Sequence, residues 1–243
     1  AGKEVLLSTQ VLLESTAEGG TMHKIAAQND FTVEANDMGA VQRLSGHKPF
    51  VAGPQLNLYN LPSLTWMASL GASRWVMPLE MRASDLAVLQ AGRPAGLETE
   101  VFAYGRMPLA YSARCFTARH RNLPKDDCQF SCIAHPDGLL LNTRESEHFL
   151  VLNGTQTQSA RVYNLIESLP EMQAMGIDVL RLSPQSAHMA EVVALFDAVR
   201  TGALAPAEAQ ARLQPLMPEQ GCNGYWHGRP GLDWVDAPVG VPA

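Results

Sequence analysis

The feature that most constrains the fold is a regular exchange between short runs of β-branched and large apolar residues and stretches of helical periodicity. Glu4 to Thr9 reads as a strand and Met22 to Ala27 as a helix. Phe31 to Ala35 is the next strand, Met38 to Leu44 a short helix, and Phe50 to Gly53 a strand. Leu61 to Leu70 reads as a helix opened by Asn60 and Pro62, and Arg74 to Pro78 as a strand. Ala83 to Gln90 is a helix stopping near Gly92 and Pro94, and Glu98 to Tyr104 a strand closed by Gly105.

From Arg106 to Leu141 the rhythm stops, and this stretch reads as an insertion or elaborated loop. Phe149 to Leu152 with the turn-forming Asn153-Gly154 predicts a small β element, and Val162 to Met175 a helix. Asp178 to Leu182 is again a strand, followed by helices over His188 to Val199 and Pro206 to Leu213 and a Gly- and Trp-rich tail. Strands joined by such short helical connections pair in parallel, because parallel neighbours need a crossover. The expected fold class is α/β, a TIM-type (β/α) barrel. Such a barrel has eight strands and the pattern supplies six, so the first strands are expected upstream of this chain. The organisation expected is a single domain over 1–243, with an insertion at 106–148 and a tail at 215–243.

A composition of 46% hydrophobic and 17% charged residues over 243 positions can furnish a sizeable core. The net charge of -6 disfavours a general attraction to nucleic acid, DNA included, or to anionic lipid, and leaves room for a local basic patch. No run approaches the ~20 apolar residues of a membrane span, and the start lacks the pattern of a secretory leader. The expectation is a cytoplasmic protein that is not integral to a membrane.

Four cysteines are too sparse for a disulfide framework, so reduced thiols are expected. Three of them crowd together as Cys115-x12-Cys128-x3-Cys132 in a loop following a strand, where barrel folds place their chemistry. Zinc sites favour shorter Cys spacings, often completed by His, whereas an iron–sulfur cluster tolerates more varied ones. Three structural cysteines are the alternative, since free Cys is commonly buried. Polar flanks at Lys125, Asp126, Asp127, Gln129 and Ser131 argue against it. For a fourth ligand, Cys222 is the only other thiol, with His120 and His135 nearer in sequence.

The run Tyr104-Gly105-Arg106-Met107-Pro108-Leu109-Ala110-Tyr111-Ser112-Ala113-Arg114-Cys115-Phe116-Thr117-Ala118-Arg119 closely resembles the cysteine signature of the collagenase-like peptidase family. That family includes RNA-hydroxylation proteins and proteins of ubiquinone biosynthesis. Further similarity lies in Pro49 to Gly53, Arg74 to Glu80, Ser183-Pro184-Gln185 and Cys222 to Trp226, and so covers nearly the whole chain. Resemblance to the ubiquinone members implies an oxygen-independent hydroxylation of the prenylated ubiquinone-precursor ring. It also implies a heterodimer with a UbiU-like protein and a [4Fe-4S] cluster in each subunit. Cys115, Cys128 and Cys132 match three ligand positions of that pattern, whose fourth falls upstream of this chain. A non-catalytic scaffold or electron-transfer partner, a peptidase and an RNA-hydroxylating relative are the alternatives. Peptidase chemistry finds no His-Glu-x-x-His helix and no Gly-x-Ser-x-Gly elbow.

Glu80, just after a strand, is the leading acid candidate, with a solvated surface carboxylate as the plain alternative. Arg114 and Arg119 flank Cys115 and can balance a cluster's negative charge or hold a carboxylate by paired hydrogen bonds. Tyr104, Tyr111, Tyr225 and Trp226 are candidates for an apolar pocket, with core packing the stronger expectation.

Overall fold

The computed structural model describes residues 2–124 and 127–236. The chain divides into two compact units, Ala1–Phe102 with Met175–Leu180, and Ala103–Ala174 with Arg181–Ala243. It is an α/β protein throughout, and among the described residues no helix is long and apolar enough to cross a membrane.

In the first unit the strand–helix alternation takes the expected form. The elements are β1 (Leu6–Ser8), α1 (Thr16–Ala27), β2 (Thr32–Ala35), α2 (Met38–Leu44), β3 (Phe50–Ala52), α3 (Leu61–Ser69), β4 (Ala72–Val76), α4 (Ala83–Ala91) and the first part of β5 (Glu98–Tyr111). The strands pair in parallel in chain order. Helix starts follow local chemistry. Asp37 caps α2 by accepting the Ala40 N–H at 3.0 Å, and Asn60 caps α3 by accepting that of Ser63 at 3.0 Å. Helix α1 begins well before Met22, because Ser15 and Glu18 form a reciprocal capping box that adds a turn and a half to the apolar part.

Alternation sends Val33, Ala35, Phe50, Ala52 and Trp75 to one sheet face, all buried. The opposite face holds a row of residues in register: Ser8, Glu34, Val51, Arg74 and Glu98. Arg74 donates from Nε to Glu98 at 2.7 Å and from Nη2 to Glu4 at 3.0 Å, and its Nη1 lies 3.7 Å from Glu100. At the C-terminal ends of β1 and β2, Glu34 Oε1 accepts from Ser8 Oγ at 3.0 Å and from Asn36 Nδ2 at 3.1 Å. Parallel sheets are ordinarily apolar on both faces, so the buried Glu34 and Arg74 in this row are a departure.

The second unit comprises the rest of β5, then α5 (Phe116–His120), β6 (Leu139–Asn142), β7 (His148–Asn153), β8 (Gln156–Asn164) and α6 (Leu169–Ala174). The end of β9 (Val179–Leu182), α7 (Met189–Arg200), α8 (Pro206–Leu213) and β10 (Gly221–Cys222) complete it. Here the pairing is mostly antiparallel. β5 runs against β8, β8 against β7 and β7 against β6, while β10 lies parallel to β8 with Cys222 opposite Tyr163.

Three expectations are corrected. The strand does not stop at Gly105 but continues to Tyr111, because its second half finds β8 as an antiparallel neighbour. Gly105, at φ +117, is required by a close approach: a Cβ there would lie 2.5 Å from that of Ser183. The stretch from Arg106 to Leu141, expected as an insertion or elaborated loop, carries the second half of β5, α5 and β6. Lastly, Val162 to Met175 is not one helix. β8 runs to Asn164, whose Oδ1 accepts the Ile166 N–H at 3.1 Å and turns the chain through a 3-10 turn into the short α6. The apolar spacing from Val162 to Met172 fits a helix, but cross-strand pairing to β5 overrides it.

Candidate functional site

The signature residues converge on one small cavity in the second unit. It measures about 280 Å³ and is lined by Gly105 and Arg106 of β5, Gln156 and Gln158 of β8, Asp137, and the run Ser183-Pro184-Gln185 among others. Backbone pairing sets this up: the Ser183 N–H donates to the Tyr104 carbonyl at 2.8 Å, which brings the run after β9 against the middle of β5. Gln185 is held from both sides. Its Oε1 accepts from the Tyr104 hydroxyl at 2.6 Å, and its Nε2 donates to the carbonyls of Ala187 at 2.7 Å and Leu216 at 2.8 Å.

Arg106 is the cation of the cavity. Its Nη1 donates to the carbonyls of Ser159, at 3.2 Å, and Ala160. Burial pushes its pKa down, while nearby Glu219 and Asp137 pull it up; a guanidinium stays cationic at neutral pH regardless. Asp137 is fixed by Ser186, accepting its N–H at 2.9 Å and its hydroxyl proton. Glu219 accepts the Gln220 N–H at 2.9 Å and is hydrogen-bonded to His148 Nδ1. The lining thus sets immobilised donors and acceptors, beside Val162 and several prolines, around one cation. Such a cavity selects a small polar ligand by direction as well as charge.

The cysteine segment leads directly into this lining. Cys115 is the N-cap residue of α5, Cys132 lies in the 3-10 turn Ser131–Ala134, and Asp137 follows soon after. Helix α5 packs on that turn and on β7. Arg121 and His135 meet across them at 3.5 Å. Cys115, Cys128 and Cys132 are all half-buried free thiols. Between the last two, Gln129 and Phe130 both have left-handed backbones, at φ 51 and φ 49, a strained conformation for a bulky side chain. The donor set suits a soft metal centre. The arrangement does not close on one: among the described residues, no three His, Cys, Asp or Glu side chains are gathered to hold an ion. Lys125 and Asp126, expected as polar flanks, lie outside the described residues.

The other candidates fall as follows. Cys222 is fully buried in β10, and burial pushes its thiol up to about 12, with Arg161 partly opposing, so it is a neutral thiol at physiological pH. Arg114 is exposed and donates to the Leu123 carbonyl at 3.2 Å; Arg119 is exposed in the last turn of α5. Glu80 belongs to the first unit, where its exposed carboxylate accepts from the Tyr59 hydroxyl at 2.7 Å. Burial and this bond push the Tyr59 phenol up. Tyr104 and Trp226 are core residues: Tyr104 packs edge-on against Phe196 at 5.7 Å, and Trp226 Nε1 donates to Glu171 at 2.8 Å. Arg106, Asp137 and Gln158 were given no role by sequence reasoning. The available signal was Arg106 itself, a charge between the buried neighbours Tyr104 and Met107 of a strand.

Such a cavity, formed by the Gly105-Arg106 and Ser183-Pro184-Gln185 runs of an α/β chain, is where comparison with known proteins becomes informative. The model of peptidase family U32 matches residues 17–235, and the chain belongs to that family. Among curated proteins, the tRNA hydroxylation protein P1 of Bacillus subtilis is 30% identical over 152 residues, which cover 58% of this chain and 35% of that protein. The tRNA hydroxylation protein P of Helicobacter pylori is 25% identical over 207 residues, covering 77% of this chain and 48% of that protein. The chain thus spans half or less of the length of these relatives. No solved structure matches it.

Proposed function

We propose that this chain is a subunit of an oxygen-independent hydroxylase acting on the prenylated ubiquinone-precursor ring, similar to UbiV and working in the cytoplasm as a heterodimer with a UbiU-like protein. The observation that carries the hydroxylase part is membership of a family whose relatives of this chain are hydroxylation proteins. The quinone substrate rests on the resemblance of the Tyr104–Arg119 signature. In this reading the units belong to a TIM-type barrel, and Cys115, Cys128 and Cys132 hold a [4Fe-4S] cluster, with the strained turn at Gln129 and Phe130 presenting two of the thiols. They must draw together from the positions described above. When bound, the cluster supplies one-electron chemistry.

The chain's own residues bind and orient. Hydroxylation converts a ring C–H to C–OH and takes two electrons from the ring, so an oxygen donor other than dioxygen, itself reduced by two electrons as it gives up its oxygen atom, must be held nearby. Arg106, with Gln158 and Ser183, offers fixed polar contacts for such a small reactant, and the neighbouring Asp137–Ser186 contact keeps that wall rigid. Arg114 and Arg119 balance the anionic thiolate centre. Glu80 is the acid candidate of the first unit.

The printed names of the relatives favour a second reading, in which the hydroxylated substrate is RNA. One experiment separates the readings. The full-length protein, purified anaerobically with its UbiU-like partner, is expected to carry about four iron and four sulfide per chain, to lose about half of the total in Cys128→Ala, and to hydroxylate the quinone precursor without dioxygen. Stoichiometric zinc without iron would refute the cluster. Hydroxylation of tRNA and not of the quinone precursor would move the substrate to the second reading. Peptide cleavage surviving the removal of iron would return the chain to the peptidase alternative.

A further inference from the structure

An apolar hairpin and a cationic helix lie side by side in the second unit. In the hairpin, β6 pairs with β7 with Leu140 opposite Val151 and Leu141 opposite Leu150. Its strands read Leu-Leu-Leu-Asn and His-Phe-Leu-Val-Leu-Asn, so both faces are apolar. An antiparallel hairpin normally turns a polar face to water. Here Leu140, Leu141 and Phe149 are exposed. β6 pairs with β7 alone among the described residues, and it carries none of the charges that protect an edge strand.

Beside the hairpin, the 3-10 turn that packs on α5 projects Phe130 and Ile133, which are 73% and 77% exposed. Aromatic and aliphatic side chains this open are costly in water, as are Leu140 and Phe149, which alternation places on one face of the hairpin that α5 also packs against.

The charge on α5 and the stretch leading to it has one sign. From Ala103 to Pro124 the chain contains no Asp or Glu, in a protein whose net charge is -6. Arg114, Arg119 and Arg121 are exposed there, the last two in and just after the final turn of α5. Among the described residues the acids near in sequence are Asp127, at the start of the turn, Asp137 just after it, and Glu145 and Glu147 at the tip of the hairpin, where Arg144 also stands. Cations over an exposed apolar patch complement a surface that is negative outside and apolar beneath. RNA would also suit the arginines, but exposed Ile and Leu cannot stack on bases, whereas an acyl boundary accepts them.

We infer that α5, the Phe130–Ile133 turn and the β6–β7 hairpin together dock this chain on the surface of an anionic lipid bilayer. The surface stands on its own geometry. It rests on the quinone reading only for its purpose, which is to meet a substrate whose prenyl tail lies in the bilayer. Docking of this kind is reversible and needs no spanning helix.

The test uses the full chain and vesicles of phosphatidylcholine alone or mixed equally with phosphatidylglycerol, read by co-flotation. Binding is expected on the mixed vesicles, should weaken as salt is raised, and should be absent on phosphatidylcholine alone. The double variant Arg119→Glu, Arg121→Glu should lower the partition coefficient at least about twenty-five-fold, since each cation near such a surface contributes about fivefold. Phe130→Ser with Ile133→Ser should lower it by about tenfold while circular dichroism and melting stay unchanged, as these side chains touch little. No binding to the mixed vesicles overturns the inference. So does a dimer in sedimentation that Phe130→Ser with Ile133→Ser converts to monomer, or RNA binding that needs these arginines while vesicles are ignored. Hydroxylation of detergent-dispersed quinone precursor reports on the catalytic reading separately, so the two can fail independently.

Discussion

The two units place their charges in opposite ways. In the first, Arg74 is buried in a parallel sheet, where it meets the half-exposed Glu98 and Glu4 and approaches the buried Glu100. In the second, ionised groups either line a cavity, as Arg106 and Asp137 do, or stand in water on α5. A charge buried within a sheet is stable only while its partners stay, so the first arrangement is structural. A charge at a cavity wall or on an open helix keeps part of its capacity for a ligand, which is why the functional reading belongs to the second unit.

The most direct way to break this comparison is Arg74→Met. The substitution fills the space but removes the cation from beside three carboxylates, of which Glu100 is only 6% exposed at its side chain. A loss of about 3 kcal/mol is expected, because breaking a buried pair leaves a costly charge behind. Urea unfolding followed by circular dichroism measures it. A loss below about 1 kcal/mol, the range of exposed pairs, would mean the row is solvated and the contrast false.

Next in size is Gly105→Ala, which asks whether the cavity wall is equally fixed. The added methyl carbon would lie 2.5 Å from Ser183 Cβ and 3.0 Å from its carbonyl oxygen, on a backbone at φ +117. Neither the side chain nor the backbone conformation can give cheaply, so about 2–3 kcal/mol of destabilisation is expected, with loss of ligand affinity at the cavity. If the variant melts with the parent chain, the close approach of β5 and Ser183 is not a constraint.

The same contrast explains what could be read ahead of the structure. In the first unit each strand and helix was legible, since local signals and tertiary pairing agree there. Asn60 and Pro62 open α3, and Met38–Leu44 matches its helix residue for residue. Even there the capping box at Ser15 and Glu18 was passed over, so α1 was read short. In the second unit local signals and pairing conflict. Gly105 reads as a strand terminator, yet it is the residue that lets the strand pass Ser183. Val162 to Met172 has helical spacing, yet its first residues belong to β8, because partners far along the chain decide antiparallel pairing. The site was half legible for the same reason. Its glycine, arginine and Ser183-Pro184-Gln185 run stood out as a signature, but nothing local announces that Asp137 and Gln158 join them.

The smallest expected effect concerns Glu219, whose charge acts on the cavity's Arg106. Burial raises the Glu219 carboxyl, but the hydrogen bonds from the Gln220 N–H and His148, with the charges of His148 and Arg106, outweigh it and hold its pKa below the ordinary value of 4.5. A carboxyl depressed on folding binds fewer protons folded than unfolded, so the stability it adds is complete above the unfolded value. It is lost as pH falls through the ordinary value toward the lower folded one. Glu219→Gln removes this dependence. The parent chain should therefore lose its advantage over the variant between neutral and strongly acid pH, by under about 1 kcal/mol for so accessible a pair, in paired urea titrations. An equal gap between the two at both pH values would show that Glu219 is not coupled to the cavity's cation, and it would then resemble the open charges of α5 more than the fixed wall around Arg106.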